Sequence, residues 1–263
     1  MMTFSDSKER FSNRVEDYVR YRPGYPAALL DLLRDECGLR AEESCVVADI
    51  GSGTGLLAEV FLKEGNRVLG VEPNQEMRVA GEEYLRGYAN FVSVAGAAEA
   101  TTLLDASVNL VIAGQAFHWF EPVATREEFS RILKPGGWAA MVWNHRRMDT
   151  PFARDYEAML VHYGTDYLKV RATYPEAQNV KDFFGAARCR ERNLSYSQVF
   201  GWDGVAGRLH SSSYAPTEGH ANYAPMMGEL KRIFDAHQED WRVRMEYETK
   251  IYFGQLKSAG INA

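Results

Sequence analysis

The feature that most constrains this fold is an apolar run, CVVADI, which begins at Cys45 and ends in the glycine-rich turn GSGTG. A continuous apolar run of this length predicts a strand that is buried on both faces, as in a parallel sheet covered by helices. The next residues, LLAEVFLKEG, predict a helix. This order of strand, turn and helix is typical of an open α/β sheet that binds its ligand at the carboxyl ends of the strands.

The same alternation continues along the chain. Further strands are predicted for RVLGVE, FVSVA, VNLVIA and WAAMVW, and helices for NQEMRVAGEEYLRGY, with Asn74 as its cap, and for TREEFSRILKPGG, closed by Pro135 and two glycines. Residues 25–39 predict an earlier helix that ends near Gly38. This spacing predicts right-handed β-α-β units and an α/β fold with a doubly wound, mostly parallel sheet, in which these five strands and two later ones make seven.

After Arg146 the alternation stops. Residues 148–188 are helix-like, RNLSYSQVF and RMEYETKIYF predict strands, and YAPMMGELKRIFDAHQ between them predicts a helix. We therefore expect a single domain over residues 1–263. Its expected parts are an N-terminal lid and helix (1–40), a cofactor-binding core (41–145), an inserted helical cap with an added strand (146–240) and a C-terminal edge strand (241–263).

Charge and cysteine content exclude several classes of protein. The formal net charge of -6 argues against nucleic acid as the main partner, because phosphate binding needs a clustered excess of lysine and arginine. Cys37, Cys45 and Cys189 have no metal-ligand spacing, so we expect free thiols and no metal site. Without a signal peptide or an apolar stretch of about 20 residues, the expectation is a cytoplasmic protein without membrane insertion, either monomer or homodimer.

The glycine turn and one acidic residue predict a nucleotide-type site. Gly51, Gly53 and Gly55 let the backbone turn sharply and approach a ligand closely. Glu72 ends the second strand about 20 residues further on, where an acid accepts hydrogen bonds from ribose hydroxyls. Leu56 stands where a dinucleotide fingerprint has its third glycine, which weakens an NAD or FAD interpretation. A Gly-Lys-Ser/Thr ending is also missing, which argues against an NTPase.

Five motifs in this order carry a family resemblance: DIGSGTG, GVEPNQEM, AGAAEA, SVNLVIAGQAFHWF and LKPGG. With them the chain resembles the class I S-adenosylmethionine-dependent methyltransferases over roughly residues 10–145. The segments NRVEDYVRYRPGYP, QAFHW and SSSYAP are similar to the small-molecule branch that includes ubiquinone- and menaquinone-type enzymes and trans-aconitate methyltransferase-like proteins. The resemblance implies a Rossmann-like fold, S-adenosyl-L-methionine as cofactor, and O-, C- or N-methylation of a small acceptor such as a carboxylic acid or a phenol- or quinone-like molecule.

The resemblance also implies a role for each motif residue. The methionine part of the cofactor is assigned to Asp49, Gly51, Ser52, Gly53, Thr54 and Gly55, the ribose to Glu72, the adenine side to Pro73, Asn74 and Met77, the adenine edge to Ala97, Ala98 and Glu99, and further cofactor contacts to Arg22 and Gln115. Two positions depart from the family pattern. Ala97 stands where many relatives have aspartate, and Asn109 replaces a common aspartate in the fourth strand, so both are candidates for lowered cofactor affinity.

Other residues are assigned to the acceptor. Trp119, Asn144 and His145 follow strands at the ligand-binding edge, so we expect them to face the substrate, together with Tyr18 and Tyr21 from the lead-in segment. The resemblance implies that this lead-in is a lid over the cofactor, with Tyr21 or the following arginine near its carboxylate. The residues alone are equally consistent with a helix surface.

His118 is the candidate catalytic residue, and three roles are open for it. It follows the fourth strand and titrates in the range useful for a general base, but a positioning or a structural role is also consistent with the sequence. Arg146 and Arg147 would suit a carboxylate on the acceptor and are as easily solvent-facing, whereas packing is expected for Trp143. Two rival functions remain: a nicotinamide-dependent oxidoreductase on the same architecture, and a non-catalytic nucleotide-binding relative.

Overall fold

The computed structural model describes residues 21–42, 44–173, 177–185 and 188–256. Within these ranges the strands are β1 (Val46–Ile50), β2 (Arg67–Val71), β3 (Phe91–Val94), β4 (Val108–Gly114), β5 (Leu133–Arg146), β6 (Arg190–Phe200) and β7 (Val243–Gly254). The α-helices are α1 (Ala28–Cys37), α2 (Leu56–Leu62), α3 (Gln75–Tyr84), α4 (Pro122–Ile132), α5 (Pro151–Tyr163), α6 (Tyr167–Ala172), α7 (Ala177–Phe184), α8 (Trp202–His210) and α9 (Tyr223–His237). A short 3-10 helix spans Phe117–Trp119.

As predicted, the seven strands form one mostly parallel sheet; their order in it is β3-β2-β1-β4-β5-β7-β6. The pairs β1–β2, β1–β4, β2–β3 and β4–β5 are parallel, with Val47 aligned to Val68 on one side and to Leu110 on the other. The C-terminal strand β7 lies between β5 and β6, so its prediction as an edge strand is wrong. The edge belongs to β6, most of which is partly or fully exposed, whereas residues 251–254 of β7 are all buried.

Local sequence signals account for most element boundaries. Gly38 ends α1 in the left-handed conformation at φ 66°, and the Asn74 side chain caps α3 by accepting from the Met77 amide at 3.0 Å. The helix predicted to end at Pro135 ends instead at Ile132. Leu133 already has extended backbone and pairs with Val108, so LKPGG belongs to β5.

The described chain separates into two compact units, each with its own core. The sheet unit contains residues 24–42, 44–143, 177–185, 188–194 and 249–256, and the helical unit contains residues 21–23, 144–173 and 195–248. Two apolar clusters fill the sheet unit, and a third, built from α5, α8, α9 and strand residues, fills the helical unit. The predicted domain boundaries stay a prediction. No helix in the described ranges is long and apolar enough to cross a membrane.

Candidate functional site

The glycine turn connects β1 to α2 and lies at the carboxyl end of β1. Gly51, Gly53 and Gly55 all have positive φ, at 67°, 55° and 86°, a backbone conformation that disfavours side chains. The amides of Gly51 and Ser52 both donate to the Val71 carbonyl, at 2.8 and 3.1 Å. These bonds fix the turn to the end of β2, so two neighbouring strand ends form one surface.

Neighbouring atoms also restrict two of these positions to glycine. A Cβ on Gly51 would lie 2.7 Å from Ala116 Cβ, and one on Gly55 would lie 2.5 Å from Leu85 Cδ1. Both separations are far below a normal carbon–carbon contact of about 3.5–4.0 Å. The surface of the turn is therefore made of backbone groups.

Glu72, at the end of β2, is tied to the turn through its carboxylate. Its Oε2 accepts from the Gly53 amide at 3.0 Å, and its Oε1 accepts from the Asn74 amide at 2.9 Å. Pro73 lies half-buried between them, and Met77, in the first turn of α3, is buried. A carboxylate has about four acceptor positions, so a side chain of this type can accept from ligand hydroxyl groups as well as from backbone amides.

Asp49 is a buried acid within the last two residues of β1. Burial raises the pKa of its carboxyl to about 7; the nearby Ala58 amide opposes this rise and the negative charge of Glu72 adds to it. Neither carboxylate oxygen has a well-formed hydrogen bond to the described residues, and the same holds for the buried Thr54 hydroxyl. These polar atoms beside a backbone-lined turn fit a ligand that carries positive charge and hydrogen-bond donors.

The segment after β3 forms a tight turn. Ala97 and Ala100 exchange two backbone hydrogen bonds at 3.2 and 3.1 Å, and Ala98 between them is buried. Glu99 Oε1 accepts from the Glu121 amide at 2.8 Å, so its carboxylate is held at the start of α4. The role of this segment at the adenine edge stays a prediction. Besides the Glu99 carboxylate, the turn would contact adenine through its backbone groups.

The segment after β4 changes direction sharply. Gln115 has φ 58°, which is uncommon for a residue other than glycine, and its amide donates to the Val142 carbonyl at 2.9 Å. Phe117 is buried, whereas His118 and Trp119 are half-buried with ring centroids 4.6 Å apart. Burial lowers the pKa of His118 to about 4, so its imidazole is neutral at pH 7.

Asn109 lies at the other end of the sheet. Its Oδ1 accepts from the Val46 amide at 3.0 Å and from Lys134 Nζ at 2.9 Å, beside a cavity of about 350 Å³. Asp49 pairs with Ile112, three residues further along β4, or about 10 Å away at the usual strand rise. Asn109 therefore supports the sheet, and an effect of its difference from aspartate on cofactor affinity stays a prediction.

The lead-in residues Tyr21 and Arg22 belong to the helical unit. The ring of Tyr21 covers Gly207 in α8 so closely that a Cβ there would lie 2.2 Å from it, and Arg22 Nη2 donates to the Ser211 carbonyl at 3.1 Å. Tyr18 lies outside the described residues. A lid role for this segment stays a prediction.

The two predicted substrate residues, Asn144 and His145, lie in the last part of β5, which extends to Arg146 rather than ending at Trp143. Both line a cavity within the helical unit. Asn144 is buried and His145 is half-buried, and the cavity has a volume of about 240 Å³. Trp143, just before them, is packed in the core of the sheet unit as predicted. The two arginines that follow differ: Arg146 is half-buried, whereas Arg147 is exposed and pairs with Asp149.

Sequence reasoning missed Arg208, which lines the same cavity from α8. It is only 7% exposed, although arginine in a helix usually faces solvent. A signal was present: Val205, Arg208, Leu209 and Ser212 have the i, i+3, i+4, i+7 spacing of a buried helix face. In the described part of the chain, no cluster of three or more histidine, cysteine, aspartate or glutamate residues could hold a metal ion.

Comparisons with known proteins agree with this geometry. Residues 48–141 match a family model described as a methyltransferase domain. An uncharacterized methyltransferase of Mycobacterium tuberculosis is 34% identical over 172 residues, which cover 65% of this chain and 66% of the relative. An uncharacterized methyltransferase-like protein of Schizosaccharomyces pombe is 31% identical over 157 residues, 59% of each chain.

The fold is shared with a solved structure described as a candidate type II methyltransferase from Anaeromyxobacter dehalogenans. The TM-score is 0.65 at 23% identity, over 90% of this chain and 98% of that one. The alignments span 66% and 59% of the lengths of the two relatives named above. From the matched family model, residues 48–141 form a methyltransferase domain, and the chain is similar over 65% of its length to a methyltransferase of Mycobacterium tuberculosis.

Proposed function

We propose that this protein transfers a methyl group from S-adenosylmethionine to a small organic acceptor. The observation that carries the proposal is the link between Glu72 and the Gly53 amide, which joins a ribose-type acid to a turn built from backbone groups. The match of residues 48–141 to a methyltransferase domain supports the choice of cofactor, and the departure of Leu56 from the dinucleotide pattern argues against a nicotinamide.

The residues of the turn fit this cofactor chemically. Glu72 would accept from the ribose hydroxyls, and Gly51 to Gly55 would cradle the methionine part. Asp49 would offset positive charge, because its carboxyl pKa of about 7 lets a nearby cation shift it fully to the ionised form at neutral pH. Bound there, S-adenosylmethionine supplies a methyl group on a positively charged sulfur, a strong electrophile.

His118 would position the acceptor. With its pKa lowered to about 4, the imidazole is neutral at pH 7 but is a weak base, because an efficient general base has a pKa near the working pH. A neutral imidazole has one hydrogen-bond donor and one acceptor, so it can still bond to a hydroxyl or carboxyl group. Orientation accounts for much of the rate of an in-line displacement, so this role suits methyl transfer.

Calorimetric titration of the pure protein with S-adenosylmethionine and with NADH tests the cofactor. We expect binding of S-adenosylmethionine and none of NADH; the reverse result would refute the proposal. Glu72→Gln should weaken binding about tenfold or more, because it removes an acceptor of charge-assisted hydrogen bonds. Glu76→Gln is the matched control, since Glu76 is exposed in the first turn of α3.

Transfer of a labelled methyl group to small acids and phenols tests the activity itself. Labelled product from any member of the panel supports catalysis. Tight cofactor binding with no product, across the panel and across cell extract, would instead identify a non-catalytic nucleotide-binding relative.

A further inference from the structure

The cavity of about 240 Å³ in the helical unit has an unusual charge balance. Its charged lining residues are three arginines, Arg146, Arg171 and Arg208, and one acid, Glu157. Three guanidinium groups face one carboxylate, so the lining carries a formal excess of two positive charges. A surface of this sign attracts anions.

The single carboxylate is already occupied by hydrogen bonds. Glu157 pairs with Arg146 Nη2 through Oε2, and its Oε1 accepts from Arg171 Nη1 at 2.8 Å. The Tyr167 hydroxyl also donates to Glu157 Oε2, at 2.5 Å. Glu157 thus neutralises part of the charge of two arginines and makes no salt bridge to the third.

Arg208 is buried beside the cavity with hydroxyl groups as its hydrogen-bond partners. Its Nη1 donates to Ser212 Oγ at 3.0 Å and more weakly to Ser211 Oγ at 3.4 Å. No carboxylate pairs with it among the residues described, and the Nε atoms of Arg208 and Arg146 both lack an acceptor there. A buried charge of this kind is costly unless an anion compensates it.

Tyr214, another lining residue, reports the same positive field. Burial alone would raise the pKa of its hydroxyl, but the guanidinium groups of Arg208, Arg146 and Arg22 outweigh burial and lower that pKa below its ordinary value. Three separate arginines therefore act on one hydroxyl inside the unit.

We propose that this cavity binds a carboxylate group of the methyl acceptor, with Arg208 as its main ligand and Arg171 at its exposed rim. The acceptor is then a small organic acid. This inference depends on the proposed methyl transfer only where it identifies the bound acid as the methyl acceptor. The anion site itself is inferred from the residues of the helical unit.

A carboxylate fits the cavity better than a phosphate or a neutral group. The guanidinium fork matches the planar carboxylate and binds it through paired hydrogen bonds. The walls include the rings of Tyr167, Tyr214 and Tyr247 with Val170, which suit a short carbon skeleton rather than a fully hydrated phosphate. A volume of about 240 Å³ is small among ligand cavities, so a compact acid is expected.

The test is calorimetric titration of the whole chain with malonate, succinate, glutarate and benzoate, each with and without S-adenosylhomocysteine. Succinamide serves as the neutral isostere of succinate, and inorganic phosphate as the competing anion. Arg208→Gln should weaken the acid that binds by about tenfold or more, the loss expected for a buried charged hydrogen bond. Arg171→Gln should weaken it by a smaller factor, because its side chain is 51% exposed.

One control and a second lining variant keep the result interpretable. Arg232→Gln removes an exposed arginine of α9 that does not line the cavity, and it should leave acid binding unchanged. Arg171→Gln changes a half-exposed side chain, so it tests the proposal even if the buried variant fails to fold. Equal binding of the acid by the wild type and both lining variants would overturn the assignment.

The remaining outcomes separate this inference from the proposed function. If no acid binds to protein that binds S-adenosylmethionine, the carboxylate site is refuted and the methyl transfer stands. If an acid binds through Arg208 and S-adenosylmethionine does not bind, the site stands and the proposed function fails. Binding of succinamide as tightly as succinate, or a preference for phosphate over every acid, would also refute a carboxylate site.

Discussion

Gly51→Ala, compared with Gly38→Ala, measures how strongly the cofactor turn depends on close backbone contact. The two glycines have almost the same φ, 67° and 66°, so alanine meets the same backbone strain at both. They differ in their surroundings: nothing lies within 4 Å of a Cβ on Gly38, whereas a Cβ on Gly51 would lie 2.7 Å from Ala116 Cβ. The pair therefore separates a conformational cost from a steric one.

The magnitudes follow from these two contributions. A left-handed conformation costs alanine about 1–2 kcal/mol, which is the whole effect expected for Gly38→Ala. At Gly51 the neighbouring backbone must also move by about 1 Å to reach a normal contact, and overpacking of this kind costs about 1–3 kcal/mol more. We expect a total loss of about 2–5 kcal/mol for Gly51→Ala.

Urea unfolding at constant slope gives both losses, and calorimetry gives the dissociation constant for S-adenosylmethionine. Gly51→Ala should raise that constant about tenfold or more, because the turn has to shift, and Gly38→Ala should leave it unchanged. Equal losses of unfolding free energy for the two variants would refute the steric reasoning. Unchanged cofactor binding in Gly51→Ala would show that the turn is misassigned.

Three further predictions concern single polar residues. Burial raises the pKa of the Asp49 carboxyl to about 7, so the folded chain retains a proton that the unfolded chain releases near pH 4. The free energy of unfolding should therefore fall by up to about 4 kcal/mol as the pH rises from about 4 to about 7. Urea titrations should show that Asp49→Asn lacks this fall. His118→Ala should lower turnover about tenfold or more in steady-state kinetics with cofactor affinity unchanged, and normal turnover would return His118 to a structural role. Asn109→Ala should lower the free energy of unfolding in urea by about 1–2 kcal/mol, because the Val46 amide loses its acceptor. Weaker cofactor binding in this variant would contradict a purely structural role for Asn109 at the amino end of the sheet.

The first half of the fold could be predicted because each local signal agrees with the sheet. The apolar run before Gly51, the Asn74 cap and the left-handed Gly38 all depend on neighbours in sequence, which sequence patterns report. The start of β5 could not, because Leu133 leaves the helix to pair with Val108, a residue 25 positions away in sequence. Pairing across such a distance overrides the local helix signal.

The helical unit was harder to predict for a related reason. Helix α8 contains Gly204 and Gly207, which lower helix propensity, so its sequence does not stand out. Gly207 is explained only in three dimensions, by the ring of Tyr21 against it. The buried position of Arg208 likewise depends on partners from other elements, whereas the glycine turn and Glu72 are encoded within about 20 residues.

The division into a sheet unit and a helical unit has a consequence for any attempt to handle them separately. Within the described ranges the chain passes from one unit to the other after residues 23, 143, 194 and 248, and between residues 173 and 177. Neither unit corresponds to one continuous piece of polypeptide, so no single proteolytic cut releases either of them intact. During synthesis the helical unit lacks its last segment until residue 248 has left the ribosome, and β7 then supplies residues 249–254 to the sheet. Expression of fragments should therefore give incomplete units, and isolating either unit requires joining its separate segments through new linkers.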